Sequence, residues 1–207
     1  PPPPFPPPPL QACLCCAPAL RALDEAGAAA GTCVFRVGSI AVTVLTDGAV
    51  TCDAAWMFPS LSAAELSEGF PGGTAVLSFG CTLLQTAATN VLLDTSLGCV
   101  QPPIGPAMTR TRPLGDLRAL LAQAGVGVDD VQIVCHSHLH RDHTSWNVVP
   151  AAEGGGAVVP LFRNATHLVQ RAEFAYWKSD AALRERCAFE TNVAPLEAAG
   201  MLQLVDG

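Results

Sequence analysis

The sequence predicts an α/β fold, classed as α+β in some schemes, in which hairpins are followed by a strand, helix, strand unit. Two apolar, β-branched hairpins occupy the first part of the chain, and a helical pattern then leads into a short buried strand at 131–135. Strand and helix patterns alternate beyond it, which is typical of α/β architectures. Four histidines follow within eight residues of that strand, at the carboxyl end where such sheets carry their sites.

The first hairpin is predicted from two β-branched runs, Cys33 to Val37 and Ile40 to Leu45, separated by Gly38-Ser39. The segment Thr46-Asp47-Gly48 is then expected to end the second strand in a turn. In that interpretation Asp47 is a turn-forming side chain, since aspartate readily bonds to nearby backbone in turns.

The second hairpin is predicted from the apolar runs Ala75 to Gln85 and Val91 to Leu93, which the polar segment Thr86 to Asn90 joins. It leads into Asp94-Thr95-Ser96-Leu97-Gly98. Helical spacing and punctuation by glycine predict the remaining elements. These are helices at 62–68, 117–124, 171–178 and 193–199, and strands at 131–135, 164–169 and 201–205.

Composition limits the class of protein. A chain of 207 residues that is 50% hydrophobic can bury a core and form one globular domain. The net charge of −7 argues against nucleic acid as a partner, because phosphate binding needs a basic face. No apolar run is long enough for a transmembrane helix. Nine cysteines, an odd number, are scattered along the chain and do not suggest a dense disulfide framework, so a reducing compartment and a cytoplasmic location are expected.

The domain is predicted to begin at residue 31. Residues 1–9 are eight prolines around Phe5, and residues 10–30 are rich in alanine and cysteine. Such a low-complexity segment lacks the residues for a packed core, so 1–30 is predicted to be a disordered leader. Prolines stand where a signal peptide would have basic residues, which leaves targeting open.

Four metal-competent side chains fall within six residues after the buried strand: His138, His140, Asp142 and His143. In an extended segment His138 and His140 point the same way, because side chains alternate with a period of two. Two imidazoles on one face can bind one metal ion. Asp142 and His143 come after the chain has begun to turn, where they could bind a second metal ion a few ångströms away.

The order His-x-His-x-Asp-His resembles the signature of the metallo-β-lactamase superfamily. The longer run Ser137 to Asn147 resembles its lactonase-like branch, as do the segments 162–165 and 171–177. The resemblance implies a four-layer αββα sandwich built from two similar halves. Residues 31–207 would then span the first half and the start of the second, and would be incomplete at the C-terminus, leaving one apolar sheet face uncovered.

The resemblance also implies a function, that of a hydrolase in which metal-activated hydroxide attacks a lactone or ester. Two zinc ions are expected, with iron or manganese as alternatives; His138 and His140 would bind the first ion, and Asp142 and His143 the second. Asp142 is also assigned a catalytic role in accepting or relaying a proton. Asp94 would support the metal loop from behind, in a tight turn where Ser96 replaces the usual glycine at a cost of about 1 kcal/mol.

Three aromatic residues, Trp56, Phe58 and Trp146, are candidates for the substrate pocket, although aromatic clusters in loops more often belong to the core. His136 precedes the motif and is expected to form hydrogen bonds rather than to bind metal. His167 is expected to be an ordinary strand residue.

Several alternatives stay open at this stage. Family members complete the site with ligands from their second half, whereas the five histidines here end at His167. The chain is therefore either a segment of an active hydrolase, a catalytically inactive fragment or binding module that keeps half of the metal site, or an enzyme completed by a homodimer partner or a missing C-terminal half. Thioester and phosphoester hydrolysis are alternative activities. Whether this chain is itself an enzyme is left open.

Overall fold

The architecture is taken from a computed structural model of the chain. It describes residues 32–97, 115–151 and 156–206, together with the backbone of 108–112. The leader predicted at 1–30 lies outside the described residues.

The described residues form ten strands and eight α-helices, numbered here in chain order. The strands are β1 (Thr32–Val37), β2 (Ile40–Asp53), β3 (Thr74–Gln85), β4 (Asn90–Leu93), β5 (Met108–Arg112), β6 (Ile133–Cys135), β7 (Val148–Pro150), β8 (Val158–Pro160), β9 (Thr166–Gln170) and β10 (Leu202–Val205). The helices are α1 (Ala54–Met57), α2 (Ala63–Gly69), α3 (Leu117–Gln123), α4 (Arg141–Thr144), α5 (Arg171–Lys178), α6 (Ala181–Cys187), α7 (Phe189–Asn192) and α8 (Ala194–Ala198).

One large mixed sheet organises these elements, in the order β1-β2-β3-β4-β6-β9-β10, with β5 paired to β2. The hairpin strands β1 to β4 are antiparallel, whereas β4, β6, β9 and β10 run parallel. Strands β7 and β8 form a separate two-stranded sheet. The predicted mixed α/β class is confirmed. The described residues contain no second large sheet, so they do not display all four layers of a sandwich.

Helices cover one face of the large sheet. Leucines on β2, β3 and β4 line up with Val134 on β6, and the apolar side of α3 packs against this row. The members at the centre of this cluster are each fully buried: Leu45, Leu83, Leu92, Leu117, Leu121 and Val134. Helices α5 to α7 bury a second cluster against β9, which includes Val169 and Phe174. The carboxyl end of β6 therefore lies between two packed cores.

The opposite face of the sheet is only partly covered. Its side chains alternate with those of the leucine row, and Val91, Cys135 and Leu168 on it are partly exposed, while Leu93 is 36% exposed. Its correspondence to the uncovered face that the resemblance implies stays a prediction. At the edge of the sheet, Val34 on β1 is 67% exposed.

The predicted turn at Thr46-Asp47-Gly48 is wrong, because β2 continues through it to Asp53. The pairing of β2 with β3 shifts register between Thr46 and Gly48, so Asp47 is the extra residue of a β-bulge. Across from the bulge, Gly80 passes so close to the Leu45 carbonyl oxygen that a Cβ there would collide with it. The bulge redirects Asp47 into the protein, where it is 1% exposed.

Most other elements agree with the sequence patterns. Both hairpins are present, and Gly38 has the positive φ of 60° that its tight turn needs. Helix α2 begins with a capping box, in which the Ser62 hydroxyl accepts from the Glu65 backbone and the Glu65 carboxylate accepts from the Ser62 N–H. Helix α5 has the predicted bounds. None of the helices among the described residues is long and apolar enough to cross a membrane.

Candidate metal centre

The histidine loop begins where β6 ends. Strand β6 stops at Cys135, and the His136 N–H still donates to the Leu168 carbonyl oxygen of β9 at 3.0 Å. The chain stays extended as far as His140, whose φ and ψ are −62° and 153°, and α4 begins directly after it. His138 and His140 therefore lie on an extended segment, whereas Asp142 and His143 lie in the first helical turn.

The four predicted metal-binding side chains come together in two pairs. His138 Nε2 lies 3.0 Å from His140 Nδ1, and His143 Nε2 lies 3.5 Å from Asp142 Oδ2. The pairs adjoin, since the ring centroids of His138 and His143 are 4.0 Å apart. Burial, together with the neighbouring histidine charges, lowers the pKa of His138. A lowered pKa favours the neutral imidazole that can bind a metal ion.

Asp94 connects the turn after β4 to both ends of this loop. Its carboxylate accepts from the Ser137 N–H at 2.8 Å, from the Ser137 hydroxyl at 2.7 Å and from His143 Nδ1 at 2.8 Å. Burial alone would raise the pKa of Asp94, but the bonds from His143 and Ser137 outweigh it and lower that pKa. The same bond raises the pKa of His143. Because Nδ1 carries the shared proton, Nε2 of His143 is left to face Asp142.

The turn that follows Asp94 holds α4 through the backbone. The Thr95 N–H donates to the His143 carbonyl oxygen at 2.8 Å, and the Ser145 N–H donates to the Ser96 carbonyl oxygen at 3.0 Å. Asp94 and Ser96 have positive φ angles of 60° and 54°. The left-handed turn predicted from the sequence, with serine at a position suited to glycine, is confirmed. Ser96 is fully buried, and its hydroxyl has no hydrogen-bond partner among the described residues.

We expect Ser96→Gly to raise the free energy of unfolding by about 0.5–1 kcal/mol, because it removes both the strained Cβ and the unpaired hydroxyl. Urea unfolding measures the change. Ser96→Ala is the control, since it removes the hydroxyl but keeps the Cβ at positive φ. If the alanine variant gained as much stability as the glycine variant, backbone strain would not be the cause.

Glu173 and Trp177 on α5 also contact the loop, a role that the sequence analysis did not assign. The Glu173 carboxylate accepts from the Leu139 N–H at 2.9 Å, between the two extended histidines, and from the Trp177 indole. The Trp177 ring packs edge-on against His140, with centroids 4.9 Å apart. The run Arg171 to Trp177 resembles the lactonase-like branch, and this was the available signal. Spacing i,i+4 places both side chains on one side of α5.

Asp47 and Trp146 meet in the core. The Trp146 indole N–H donates to Asp47 Oδ2 at 3.0 Å, and the Arg118 guanidinium lies 5.6 Å from the centre of the indole ring. Trp146 is 1% exposed. Its predicted place in a substrate pocket is therefore wrong for the described structure, because packing on β2 and α3 leaves it no free surface.

The other two pocket candidates lie near α1. Trp56 is 50% exposed, and Phe58 stacks on Phe70 with ring centroids 5.0 Å apart, in a small satellite cluster. Their contribution to a substrate pocket stays a prediction.

The two remaining histidines of the described residues form a buried pair. His136 Nε2 lies 3.2 Å from His167 Nδ1, and the rings stack at 5.5 Å. Burial lowers the pKa of His136 to about 4 and that of His167 to about 3. The outer nitrogens, His136 Nδ1 and His167 Nε2, have no partner among the described residues. The sequence analysis expected a hydrogen-bonding role for His136 but did not identify His167 as its partner.

The donor chemistry fits a metal ion only in part. Two nitrogen donors on one tetrahedral zinc lie about 3.3 Å apart, given bonds of about 2.0–2.1 Å, and the 3.0 Å between His138 and His140 is close to this. Among the described residues, however, no group of three or more histidine, cysteine, aspartate or glutamate side chains is arranged to hold a metal ion. Each pair supplies two donors, whereas zinc prefers four.

Comparison with known proteins identifies the motif region. Residues 81–159 match the family model described as the metallo-beta-lactamase superfamily. This segment contains the end of β3, the strands β4 and β6 and the whole histidine loop, so the predicted resemblance is confirmed. No curated protein sequence matches the chain.

Solved structures share the fold. A probable metal-dependent hydrolase from Staphylococcus aureus matches with a TM-score of 0.65 at 19% identity, covering 83% of this chain and 61% of its own. AidC, a dizinc quorum-quenching lactonase in complex with the product N-hexanoyl-L-homoserine, matches with a TM-score of 0.65 at 20% identity. The match covers 86% of this chain and 62% of AidC. A variant of AiiA from B. thuringiensis, with N-decanoyl-L-homoserine at the active site, matches with a TM-score of 0.52 at 18% identity. The match covers 80% of this chain and 59% of AiiA.

The chain thus spans about three fifths of the length of these structures. At such identities the likeness shows the fold, which is that of the metallo-β-lactamases.

Proposed function

We propose that this chain, which has the metallo-β-lactamase fold and whose residues 81–159 match that superfamily, is the metal-binding part of a hydrolase that acts on lactones or esters. The observation that carries the proposal is the pairing of four donor side chains at the carboxyl end of β6. His138 and His140 are 3.0 Å apart, and the His143 ring is oriented by its bond to Asp94. Carboxylates that orient metal-binding histidines in this way are a general feature of metal sites.

His138 and His140 would hold one metal ion, and Asp142 and His143 a second. Zinc is proposed, since AidC is a dizinc lactonase, with iron or manganese as alternatives for the same donors. When bound, the metal would acidify water and polarise the substrate carbonyl.

The chain's own side chains position this centre and move protons. Asp94 and Glu173 hold the loop from two sides, through Ser137 and Leu139. Asp142 has a partly exposed carboxylate beside His143, at 40% side-chain exposure, and would accept the proton that the attacking water releases.

Lactones are the first substrate class to test, because AidC is a lactonase with the product N-hexanoyl-L-homoserine bound, and the AiiA variant holds N-decanoyl-L-homoserine at its active site. Esters are the second class to test, since hydrolysis of an ester also needs activated water and a polarised carbonyl. Thioesters and phosphoesters are further candidates within the superfamily.

A second function is favoured by one observation: each pair offers only two donors, and the described residues contain no group of three. A non-catalytic binding module, or a site completed by a homodimer partner or by a further segment, would have this arrangement. Metal stoichiometry and activity, measured together with mass in solution, separate these cases.

The experiment is elemental analysis of the purified chain beside the double variant His138→Ala/His140→Ala. We expect close to two metal ions per chain in the parent and loss of at least one of them in the variant, because loss of two donors removes most of the affinity at the first position. Asp142→Asn should reduce lactone hydrolysis at least tenfold, with Asp206→Asn, an exposed carboxylate far along the sequence, as the matched control. Metal content that is substoichiometric and unchanged by the double substitution would refute the proposal.

A further inference from the structure

Glu173 occupies the third position of α5, where a glutamate often caps its own helix. In α2 the residue at the same position, Glu65, does so by accepting from the Ser62 backbone N–H. The Glu173 carboxylate instead accepts from the Leu139 N–H at 2.9 Å and from the Trp177 indole N–H. It is therefore directed away from its own helix and toward the histidine loop.

Leu139 is the point at which α5 holds the loop. The chain is extended here, so the side chains of His138 and His140 project to one side and that of Leu139 to the other. Leu139 is fully buried, in the cluster that contains Trp177. Strand β6 has already ended and burial excludes water, so the Leu139 N–H depends on the Glu173 carboxylate as its acceptor.

The Trp177 ring limits the orientation of His140. The His140 ring lies between two others, with centroid distances of 4.7 Å to His138 and 4.9 Å to Trp177. His140 is otherwise exposed, whereas Trp177 is 5% exposed and is fixed by its bond to Glu173. The indole therefore keeps the His140 ring beside His138, where Nδ1 of His140 lies 3.0 Å from Nε2 of His138.

We propose that Glu173 and Trp177 are positioning residues for the first metal ion, the one assigned to His138 and His140. The inference rests on the proposed function in assuming that an ion binds there. Glu173 fixes the backbone between the two histidines, and Trp177 fixes the ring of His140. Together they maintain the spacing of the two donors, and contacts of this kind typically change metal affinity by about 10–100-fold.

The second metal position depends on different contacts. His143 is oriented by its bond to Asp94, and its carbonyl oxygen accepts from the Thr95 N–H. The contacts from α5 are made to residues 139 and 140, before α4 begins. Loss of the α5 contacts should therefore weaken binding of the first ion and leave binding of the second unchanged.

The test is a double-mutant cycle in zinc affinity, measured by competition with a chelating dye. Glu173→Ala should weaken one of the two zinc-binding steps about 10–100-fold in the parent. It should have no further effect in the His138→Ala/His140→Ala variant, which lacks the first position. Glu197→Gln is the matched control, because the bond of Glu197 to Lys178 lies at the other end of α5.

Glu173→Gln tests whether the bonds or the charge are responsible. Both N–H groups donate to the same carboxylate oxygen, Oε1, and the amide oxygen of glutamine can take its place. We therefore expect the glutamine variant to keep the zinc affinity of the parent within about threefold. A merely electrostatic role for Glu173 would give a loss as large as that of the alanine variant.

Hydrogen exchange of the metal-free chain gives a readout that does not depend on zinc. The Leu139 amide should exchange at least tenfold faster in Glu173→Ala than in the parent. The Ser137 amide, which Asp94 holds, should exchange as before and is the control within the same loop. Glu173→Asp keeps the charge but is one methylene group shorter, so it should also expose the Leu139 amide and serves if the alanine variant does not fold.

The Trp177 contact is tested separately, also on the metal-free chain. In Trp177→Leu, the NMR cross-peaks between the ring protons of His138 and His140 should be lost, because the His140 ring is free to turn into solvent. Tyr176→Leu is the matched control, since Tyr176 is the adjacent aromatic residue of α5 and is 54% exposed. Cross-peaks that persist in Trp177→Leu would remove Trp177 from the inference.

Two other outcomes would overturn the inference for Glu173. One is equal weakening of zinc binding by Glu173→Ala in both backgrounds, and the other is a Leu139 amide that exchanges at the parent's rate in the alanine and aspartate variants. If the parent binds no zinc but Leu139 exchange responds, the proposed hydrolase is refuted and Glu173 still positions the loop. Two zinc ions whose affinities do not depend on Glu173 would leave the hydrolase standing and refute this inference.

Discussion

Replacing Asp94 with alanine is expected to lower the free energy of unfolding by about 3–5 kcal/mol, the largest effect of any single substitution considered for this protein. The carboxylate accepts three bonds, two from Ser137 and one from His143, and only 9% of Asp94 is exposed. Truncation would leave the Ser137 N–H and His143 Nδ1 partly buried without their acceptor. Alanine also tolerates the φ of 60° less well than aspartate does.

Asp94→Asn isolates the charge from the backbone, because asparagine accepts a left-handed conformation as readily as aspartate. It can still accept from the Ser137 N–H, but its amide nitrogen must then face the Ser137 hydroxyl and His143 Nδ1. We expect a loss of about 1–3 kcal/mol for this variant, measured by urea unfolding of the metal-free chain. An alanine variant within 1 kcal/mol of the parent would mean that Asp94 does not hold the loop.

Metal affinity provides a second test of the role of Asp94. If the carboxylate orients His143, the Asp94→Asn variant should bind metal at least tenfold more weakly while keeping its secondary structure by circular dichroism. Asp116→Asn is a suitable control, since Asp116 is an exposed carboxylate whose bonds are confined to the start of α3. Equal metal affinity in the two variants would assign Asp94 a purely structural role.

The features that could be predicted from the sequence are local. In each of them, a few neighbouring residues determine both the backbone conformation and the direction of the side chains. Gly38 predicts its hairpin, Ser62 with Glu65 predicts a helix start, and the spacing of His138 and His140 predicts that they face the same way. Each depends on neighbours within four positions. The turn after β4 belongs here as well, because Asp94 and Ser96 lie within one left-handed turn.

Long-range features could not be predicted from the same patterns. Thr46-Asp47-Gly48 has the composition of a turn, but pairing with β3 along its whole length keeps the chain extended and makes a bulge of it. Trp146 looked like a pocket residue until its indole was found 3.0 Å from Asp47, 99 positions earlier. Glu173 reaches the loop only because parallel pairing of β6 with β9 brings the start of α5 beside Leu139.

The His136–His167 pair is another result of that parallel pairing. Val134 stands opposite His167 in the register, and His136 is the next residue on the same side of the chain. Both imidazoles are thereby buried side by side, and burial keeps them neutral. In either tautomer the shared bond uses one nitrogen of each ring and leaves one outer donor and one outer acceptor. Protonating either ring would bury a charge, which lowers both pKa values and makes the fold sensitive to acid.

Between pH 7.5 and pH 5.0 we expect His167 alone to lower the free energy of unfolding by about 2 kcal/mol. Its pKa falls from an ordinary value of 6.5 to about 3 on folding, so below pH 6.5 the unfolded chain takes up a proton that the folded chain refuses. At pH 5.0 the difference is 1.5 pH units, each worth about 1.36 kcal/mol. The stability is therefore present above pH 6.5 and is lost as the pH falls.

Comparison with His167→Leu separates this effect from the other histidines. His143 acts in the opposite sense, because its raised pKa makes it stabilising at low pH and less so as the pH rises, but it is present in both proteins. The difference in unfolding free energy between parent and variant, followed by urea unfolding at several pH values, should thus change by about 2 kcal/mol in favour of the variant as the pH falls to 5.0. Leucine also leaves His136 Nε2 without a partner, a cost that is similar at both pH values and shifts the two curves without altering their relative slope. Parallel curves would mean that His167 takes up its proton in the folded chain as readily as in the unfolded one, and that the buried pair opens to solvent.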